Sequence, residues 1–265
     1  MKVDINGHGL NCEVHGQTGT PIVLIHGFGL NHTIWLELTK KYLQNYRVVL
    51  PDVRGHGASE SFGEDFTIED LADDLYLILD FLGIQQSVIC GHSMGGYITL
   101  AFAEKYPDSI IGLGLVTSHA WADPPEKASA RYKLIDAAKK NGAKALADSM
   151  VPLLTKDESV VEKIHQMVMA TSTSGIIGAA KAMAGRPDRF ELLKGFQKPA
   201  LIAAGEEDQI APLENSIKMA NALSQGVLLT IPDAGHLPML EKPDMLGVGL
   251  AALVSRVENS KFGLV

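Results

Sequence analysis

The stretch Gly91-His92-Ser93-Met94-Gly95 leaves this chain little choice of fold around it. It is a G-x-S-x-G element entered from the apolar run Val88-Ile89-Cys90 and left through the helix-like Tyr97-Ile98-Thr99-Leu100-Ala101-Phe102-Ala103. A strand that turns into a helix within so few residues forces the serine into strained backbone and exposes its hydroxyl at the carboxyl edge of a sheet. Only residues without side chains fit beside such a turn, and Gly91, Gly95 and Gly96 supply them. Among 26 glycines the pattern can arise by chance, but the strand before it and the helix after it argue against that. Ser93 is thereby the candidate nucleophile.

The rest of the chain repeats the strand–helix alternation. Apolar runs at Ile22–Ile25, Arg47–Leu50, Val88–Cys90, Ile111–Val116, Ala200–Ala203 and Val227–Ile231 are separated by helical patterns, which predicts an α/β protein with a mostly parallel central sheet flanked by helices. The clearest helix opens at Thr67, where Thr67 and Asp70 form a capping-box pattern. It carries Ile68, Leu71, Leu75, Ile78 and Leu82 at three- and four-residue spacing and ends at Gly83. Over residues 119–197 the alternation stops. Pro124-Pro125, Asn141-Gly142, Pro152 and Arg186-Pro187 divide this stretch into several helices without a strand. It reads as a helical cap inserted into a single catalytic core made of residues 1–118 and 198–265.

Composition removes several functions. The net charge of −8 with no lysine–arginine cluster lacks the footprint of a nucleic-acid binder and is repelled by an anionic membrane surface. No apolar stretch approaches about 18 residues, and Met1–Asn6 has no signal-peptide core, so a cytoplasmic protein is expected. Cys12 and Cys90 are too few for a disulfide framework, and Cys90 on the strand before the turn reads as a buried thiol. Nine histidines raise the question of a metal, but none are paired as H-x-H or H-x-x-x-H, and no metal is expected. Gly27-Phe28-Gly29 after a strand invites a dinucleotide reading, yet His32 stands where the fingerprint needs its third glycine, and no cofactor is expected.

A serine hydroxyl is a poor nucleophile at neutral pH, so it needs a base within reach and a carboxylate to hold that base in one tautomer. Gly205-Glu206-Glu207-Asp208 follows one strand-like run and Asp233-Ala234-Gly235-His236 follows another, both at the edge where open α/β sheets build their sites. Position singles out His236. Any of Glu206, Glu207 and Asp208 could be the acid. His26 and His56 read as loop-shaping residues, and His92 is expected to point away from the Ser93 hydroxyl.

With these motifs in order, the chain resembles the α/β-hydrolase superfamily, in the branch of small cap-bearing carboxylesterases and lactonases. The resemblance runs nearly the whole length, through His26-Gly27-Phe28-Gly29, Asp52-Val53-Arg54-Gly55-His56-Gly57, Gly91–Gly96, Gly205–Pro212, Gly235-His236 and Glu241-Lys242-Pro243. It implies Ser93 as nucleophile, Asp208 as acid and His236 as base, with the Phe28 and Met94 amides as oxyanion hole. The physical reading agrees for Met94, whose amide opens a helix and so favours an anion. Carboxylic-ester hydrolysis is the implied activity. Lactone or enol-lactone hydrolysis, carbon–carbon hydrolysis and cofactor-free haloperoxidation share the same residues, and a small-molecule receptor with slow residual hydrolysis belongs to another class. Trp121 and Met239 are expected in the substrate pocket. Met150, Met167, Met169 and Met183 are more simply read as packing. No motif brings an arginine or lysine to the site, so neutral esters are the expected substrates.

Overall fold

The computed structural model describes residues 1–261. Eight strands form one sheet: β1 (Lys2–Ile5), β2 (His8–His15), β3 (Pro21–Ile25), β4 (Arg47–Pro51), β5 (Ser87–His92), β6 (Ile110–Val116), β7 (Ala200–Gly205) and β8 (Gly226–Ile231), in the order β1-β2-β4-β3-β5-β6-β7-β8. All six runs singled out in the sequence are strands, and from β4 to β8 every neighbouring pair is parallel. β5 and β7 are buried at every residue, as strands covered on both faces must be.

The other two strands have no counterpart among those runs. β1 and β2 form an antiparallel hairpin about Asn6-Gly7, both at positive φ (54° and 86°), and β2 joins the sheet antiparallel to β4. Asn-Gly at a two-residue turn is the strongest short-range hairpin signal, because both residues accept the left-handed backbone that matches strand twist.

The helices are α1 (Leu36–Tyr42), α2 (Ile68–Phe81), α3 (Met94–Lys105), α4 (Pro125–Asn141), α5 (Ala143–Leu154), α6 (Glu158–Met169), α7 (Thr173–Gly185), α8 (Phe190–Gly195), α9 (Leu213–Ala222), α10 (Pro238–Glu241) and α11 (Pro243–Lys261). Two helix pairs, α1 with α11 and α2 with α3, flank the sheet. α2 starts as its sequence predicts. The Thr67 hydroxyl accepts from Asp70 N–H at 3.1 Å and the Asp70 carboxylate accepts from Thr67 N–H at 2.7 Å, a cap that contributes about 1 kcal/mol. Gly83 follows at φ 67°.

Five helices, α4 to α8, fill the segment between β6 and β7, with no strand among its described residues. Pro124-Pro125, Asn141-Gly142 and Arg186-Pro187 fall at helix ends. Pro152 does not break its helix. It sits inside α5, which ends only at Leu154, so the lost amide donor falls in the last turn, where little helix remains to disrupt. Among the described residues, no helix is long and apolar enough to cross a membrane.

Candidate active site

The geometry at Ser93 follows from crowding. Ser93 has φ 51° and ψ −114°, between the end of β5 and the first residue of α3. A Cβ on Gly91 would collide with the Gly95 carbonyl, one on Gly95 would lie 2.5 Å from the Ile25 carbonyl, and one on Gly96 would run into Ser118. Such a backbone costs on the order of 1–3 kcal/mol and persists only where neighbours overdetermine it. Here Ser93 N–H donates to the Val116 carbonyl at 3.0 Å, and the Ser118 hydroxyl donates to the Ser93 carbonyl at 2.7 Å.

Of the three candidate acids, the structure brings Asp208 to the histidine. His236 Nδ1 lies 2.8 Å from Asp208 Oδ2, with the histidine side chain 2% exposed and the carboxylate fully buried. A carboxylate only accepts, so Nδ1 carries a proton, which in the neutral imidazole leaves the lone pair on Nε2. The other oxygen, Oδ1, accepts from Ile210 N–H at 2.8 Å and Ala211 N–H at 3.0 Å, which fixes the carboxylate against rotation. Gly205 permits this closeness, because a Cβ there would strike the Ala234 and Gly235 carbonyls. Glu207 instead pairs with Lys156 at 3.0 Å on the surface.

The backbone of His236 is held from three sides. Its carbonyl accepts from His92 Nε2 at 2.8 Å and from the Thr117 hydroxyl at 3.0 Å, and its N–H donates to the Leu154 carbonyl of α5 at 3.1 Å. His92 was expected to point away from the Ser93 hydroxyl, and its Nε2 is engaged instead by the His236 carbonyl. Burial, and then the nearby charge of His236, hold its pKa well below the usual value, so it stays a neutral donor. Thr117 reaches the same carbonyl from φ 43°, rare for a β-branched residue. No sequence motif announces Thr117. Glu241 was legible only as part of Glu241-Lys242-Pro243; its carboxylate accepts from Gly235 N–H at 2.8 Å and from the Thr155 hydroxyl, tying the histidine loop to the end of α5.

Phe28 and Met94 offer two amides beside Ser93. Neither donates a hydrogen bond among the described residues, and Met94 is the first residue of α3, where amides lack an intrahelical partner. A Cβ on Gly27 would lie 3.2 Å from Ser93 Cβ, so the Phe28 loop passes close over the serine. His26 and His56 shape that region. His26 Nε2 accepts from Val53 N–H at 3.0 Å, and His56 Nδ1 donates to the Arg54 carbonyl at 2.8 Å.

A family model described as alpha/beta hydrolase fold matches residues 20–243. The chain belongs to the α/β-hydrolase family. Among solved structures this hydrolase is similar to a thermophilic esterase from Thermogutta terrifontis, with 35% identity, 97% of each chain covered and a TM-score of 0.91. It is also similar to an enol-lactonase from Burkholderia xenovorans LB400, with 25% identity, 96% of this chain and 100% of that one covered and a TM-score of 0.89. A curated relative, 3-oxoadipate enol-lactonase 1 of Acinetobacter baylyi, is 29% identical over 92% of both chains.

The hydrolase has a cavity of about 180 Å³, partly open to solvent, at Ser93. Phe28, His92, Ser93 and His236 form one side of it. Lys127 and Arg131 of α4, Met150, Leu153 and Leu154 of α5, and Met183 of α7 form the other. Met150 and Met183 thus line the space, whereas Met167 is buried elsewhere and Met169 lies on the surface. Two expected pocket residues fall outside it. Trp121 lines an adjoining open groove and stacks on Phe190 at 4.9 Å, and Met239 is fully buried in α10. Proximity in sequence to His236 suggested Met239, but the chain turns into α10 immediately after His236 and carries that side chain into the core.

Proposed function

We propose that this hydrolase is a carboxylesterase with Ser93 as nucleophile, His236 as general base and Asp208 as the acid that orients it. The observation that carries the reading is the His236–Asp208 pair, whose Nε2 lone pair is free in the cavity shared with Ser93. Ser93 Oγ attacks the ester carbonyl carbon while its proton passes to His236 Nε2, and the oxyanion is received by the Phe28 and Met94 amides. Collapse expels the alcohol, which takes the proton from His236. Water, deprotonated by the same nitrogen, then releases the acid and restores Ser93. Ser93 and His236 are not hydrogen-bonded among the described residues, an arrangement common before substrate arrives.

The helical segment 119–197 serves as a cap in this reading, supported by its side chains over Ser93. The substrate is a small molecule handled in the cytoplasm, without a nucleic-acid or membrane partner. A cavity of about 180 Å³ lies below the roughly 300 Å³ usual for ligand pockets and suits short acyl groups. Lactone hydrolysis is the second reading, favoured by the enol-lactonases among the relatives.

A panel of p-nitrophenyl esters from acetyl to palmitoyl, with lactones alongside, tests both. Short esters, roughly acetyl to hexanoyl, should give the highest kcat/KM, each added methylene contributing at most about 0.8 kcal/mol until the cavity is full. A maximum at dodecanoyl or longer overturns the short-acyl reading. Lactones turned over faster than every ester select the second reading. No turnover and no labelling of Ser93 by a fluorophosphonate overturn both.

A further inference from the structure

The wall of the cavity facing Ser93 carries a charge imbalance that no motif signals. Lys127 and Arg131 stand one turn apart on α4, the i, i+4 spacing that puts side chains on one helix face, and both line the cavity. Arg131 has a partner: its Nε donates to Asp123. The same carboxylate pairs with Arg186 at 2.8 Å, and Arg186 is fixed further by the Met183 and Trp121 carbonyls and by stacking over the Tyr97 ring at 3.9 Å. One buried carboxylate therefore serves two guanidinium groups. The Lys127 ammonium has no ion-pair or hydrogen-bond partner among the described residues.

Among the described residues, no acidic side chain lines the cavity or the groove beside it. Asp208 is engaged by His236, and Glu207 by Lys156. Burial, and next the charge of Arg131, lower the Lys127 pKa, and an anion arriving beside it would favour its charged form. Lys127 also lines the groove beside Trp121, Phe190 and Ile210, and with Ile210 it belongs to both spaces. It stands where the groove meets the cavity.

We propose that Lys127, backed by Arg131, selects esters or lactones whose non-reacting end carries a carboxylate. The proposal rests on the hydrolase reading above and names its substrate class. The net charge of −8 opposes anions only at long range, and that field is screened beyond about 8 Å at physiological salt. Around the cavity the three cations Lys127, Arg131 and Arg186 outnumber the carboxylates of Asp123 and Asp208 by one, and this local excess acts at short range in a medium less polar than water. Neutral substrates, expected from sequence, leave Lys127 uncompensated.

Monoethyl glutarate and ethyl valerate make a matched pair that differ at the far end in a carboxylate against a methyl group. In wild type, kcat/KM for the hemiester should exceed that for ethyl valerate by about tenfold or more, the scale of a hydrogen bond to a charged group. The Lys127→Met variant should lose that ratio, Lys127→Arg should restore most of it, and Lys127→Glu should drive it below one. Raising salt should shrink the wild-type ratio. Lys133→Met, which removes the same charge from the exposed side of α4, should keep it. A wild-type ratio near or below one, or a ratio unmoved by Lys127→Met and Lys127→Glu, overturns the proposal and leaves the hydrolase reading intact. Failure to hydrolyse either ester, with no fluorophosphonate labelling, overturns the hydrolase reading and the proposal with it.

Discussion

The two sides of the cavity are built by different means. Phe28, Ser93 and His236 lie on loops at strand ends, where glycines and backbone hydrogen bonds fix the main chain and the proposed chemistry uses amides and one imidazole. The opposite side, from α4, α5 and α7, draws on helix residues of varied character: two cations, two methionines and two leucines. A main-chain site tolerates little substitution but can host many substrates. A side-chain wall can be replaced residue by residue without touching the reaction. The two sides also meet, at His236 N–H with the Leu154 carbonyl and at Glu241 with Thr155.

The sharpest way to break this comparison is Ser93→Ala, which should lower kcat by roughly 10⁴ to 10⁶ while the protein stays folded. Single-turnover kinetics and a melting curve decide it; a folded variant with more than about a tenth of wild-type kcat removes Ser93 as nucleophile. Asp208→Asn should lower kcat by about 10⁴, since an amide no longer fixes the His236 tautomer. Glu206→Gln and Glu207→Gln should be mild, and if either is the dead variant the acid has been misassigned.

Acid should act on both sides through stability. His56 near the Phe28 loop and His119 beside Trp121 are pushed down to about 3, first by burial and then by the charges of His26 and Arg186 respectively. The unfolded chain takes up these protons near pH 6.5 and the folded one refuses them, so stability is full above that value and falls as pH drops toward 3. At about pH 5 the two together should remove about 4 kcal/mol. His32 works oppositely. Its pKa is raised mainly by its hydrogen bond to Asp52, so its contribution is present at low pH and lost as pH rises through its folded value. Urea melts between pH 7 and 5 check the sum. A flat profile would mean the histidines protonate in place.

The smallest effect should come from the join. Glu241→Gln keeps the shape but weakens the bonds to Gly235 N–H and Thr155, and should cost about 2 kcal/mol of stability with a modest loss of kcat. Unchanged hydrogen exchange at Gly235 and His236 in this variant would mean that the α5 contact alone secures the histidine loop.

Much of the hydrolase was legible before any coordinates. The parallel strands showed as apolar runs because both their faces are covered, and α2 showed its ends through Thr67, Asp70 and Gly83. The β1–β2 hairpin also left its signal in Asn6-Gly7. Its strands were obscure because β1 spans only four residues and β2 is mostly half-buried, which blurs the two-residue period. Pro152 misled because a proline near a helix end is tolerated where one in the middle is not.

What the sequence by itself determined is what contiguous residues constrain through sterics and local hydrogen bonds: the turn at Ser93, the helix cap, and the ordered loops that carry Asp208 and His236. The resemblance in the sequence already pointed to Asp208 over its glutamate neighbours; tertiary structure alone decided the three-way hold on His236 and the charge of the cavity wall. Asp123, Lys127, Arg131 and Arg186 occupy the loop before α4, α4 itself and the end of α7, and whether a cation is left unpaired depends on which of them meet. Local rules constrain neighbours along the chain, whereas charge balance is a sum over neighbours in space, which only the folded arrangement defines.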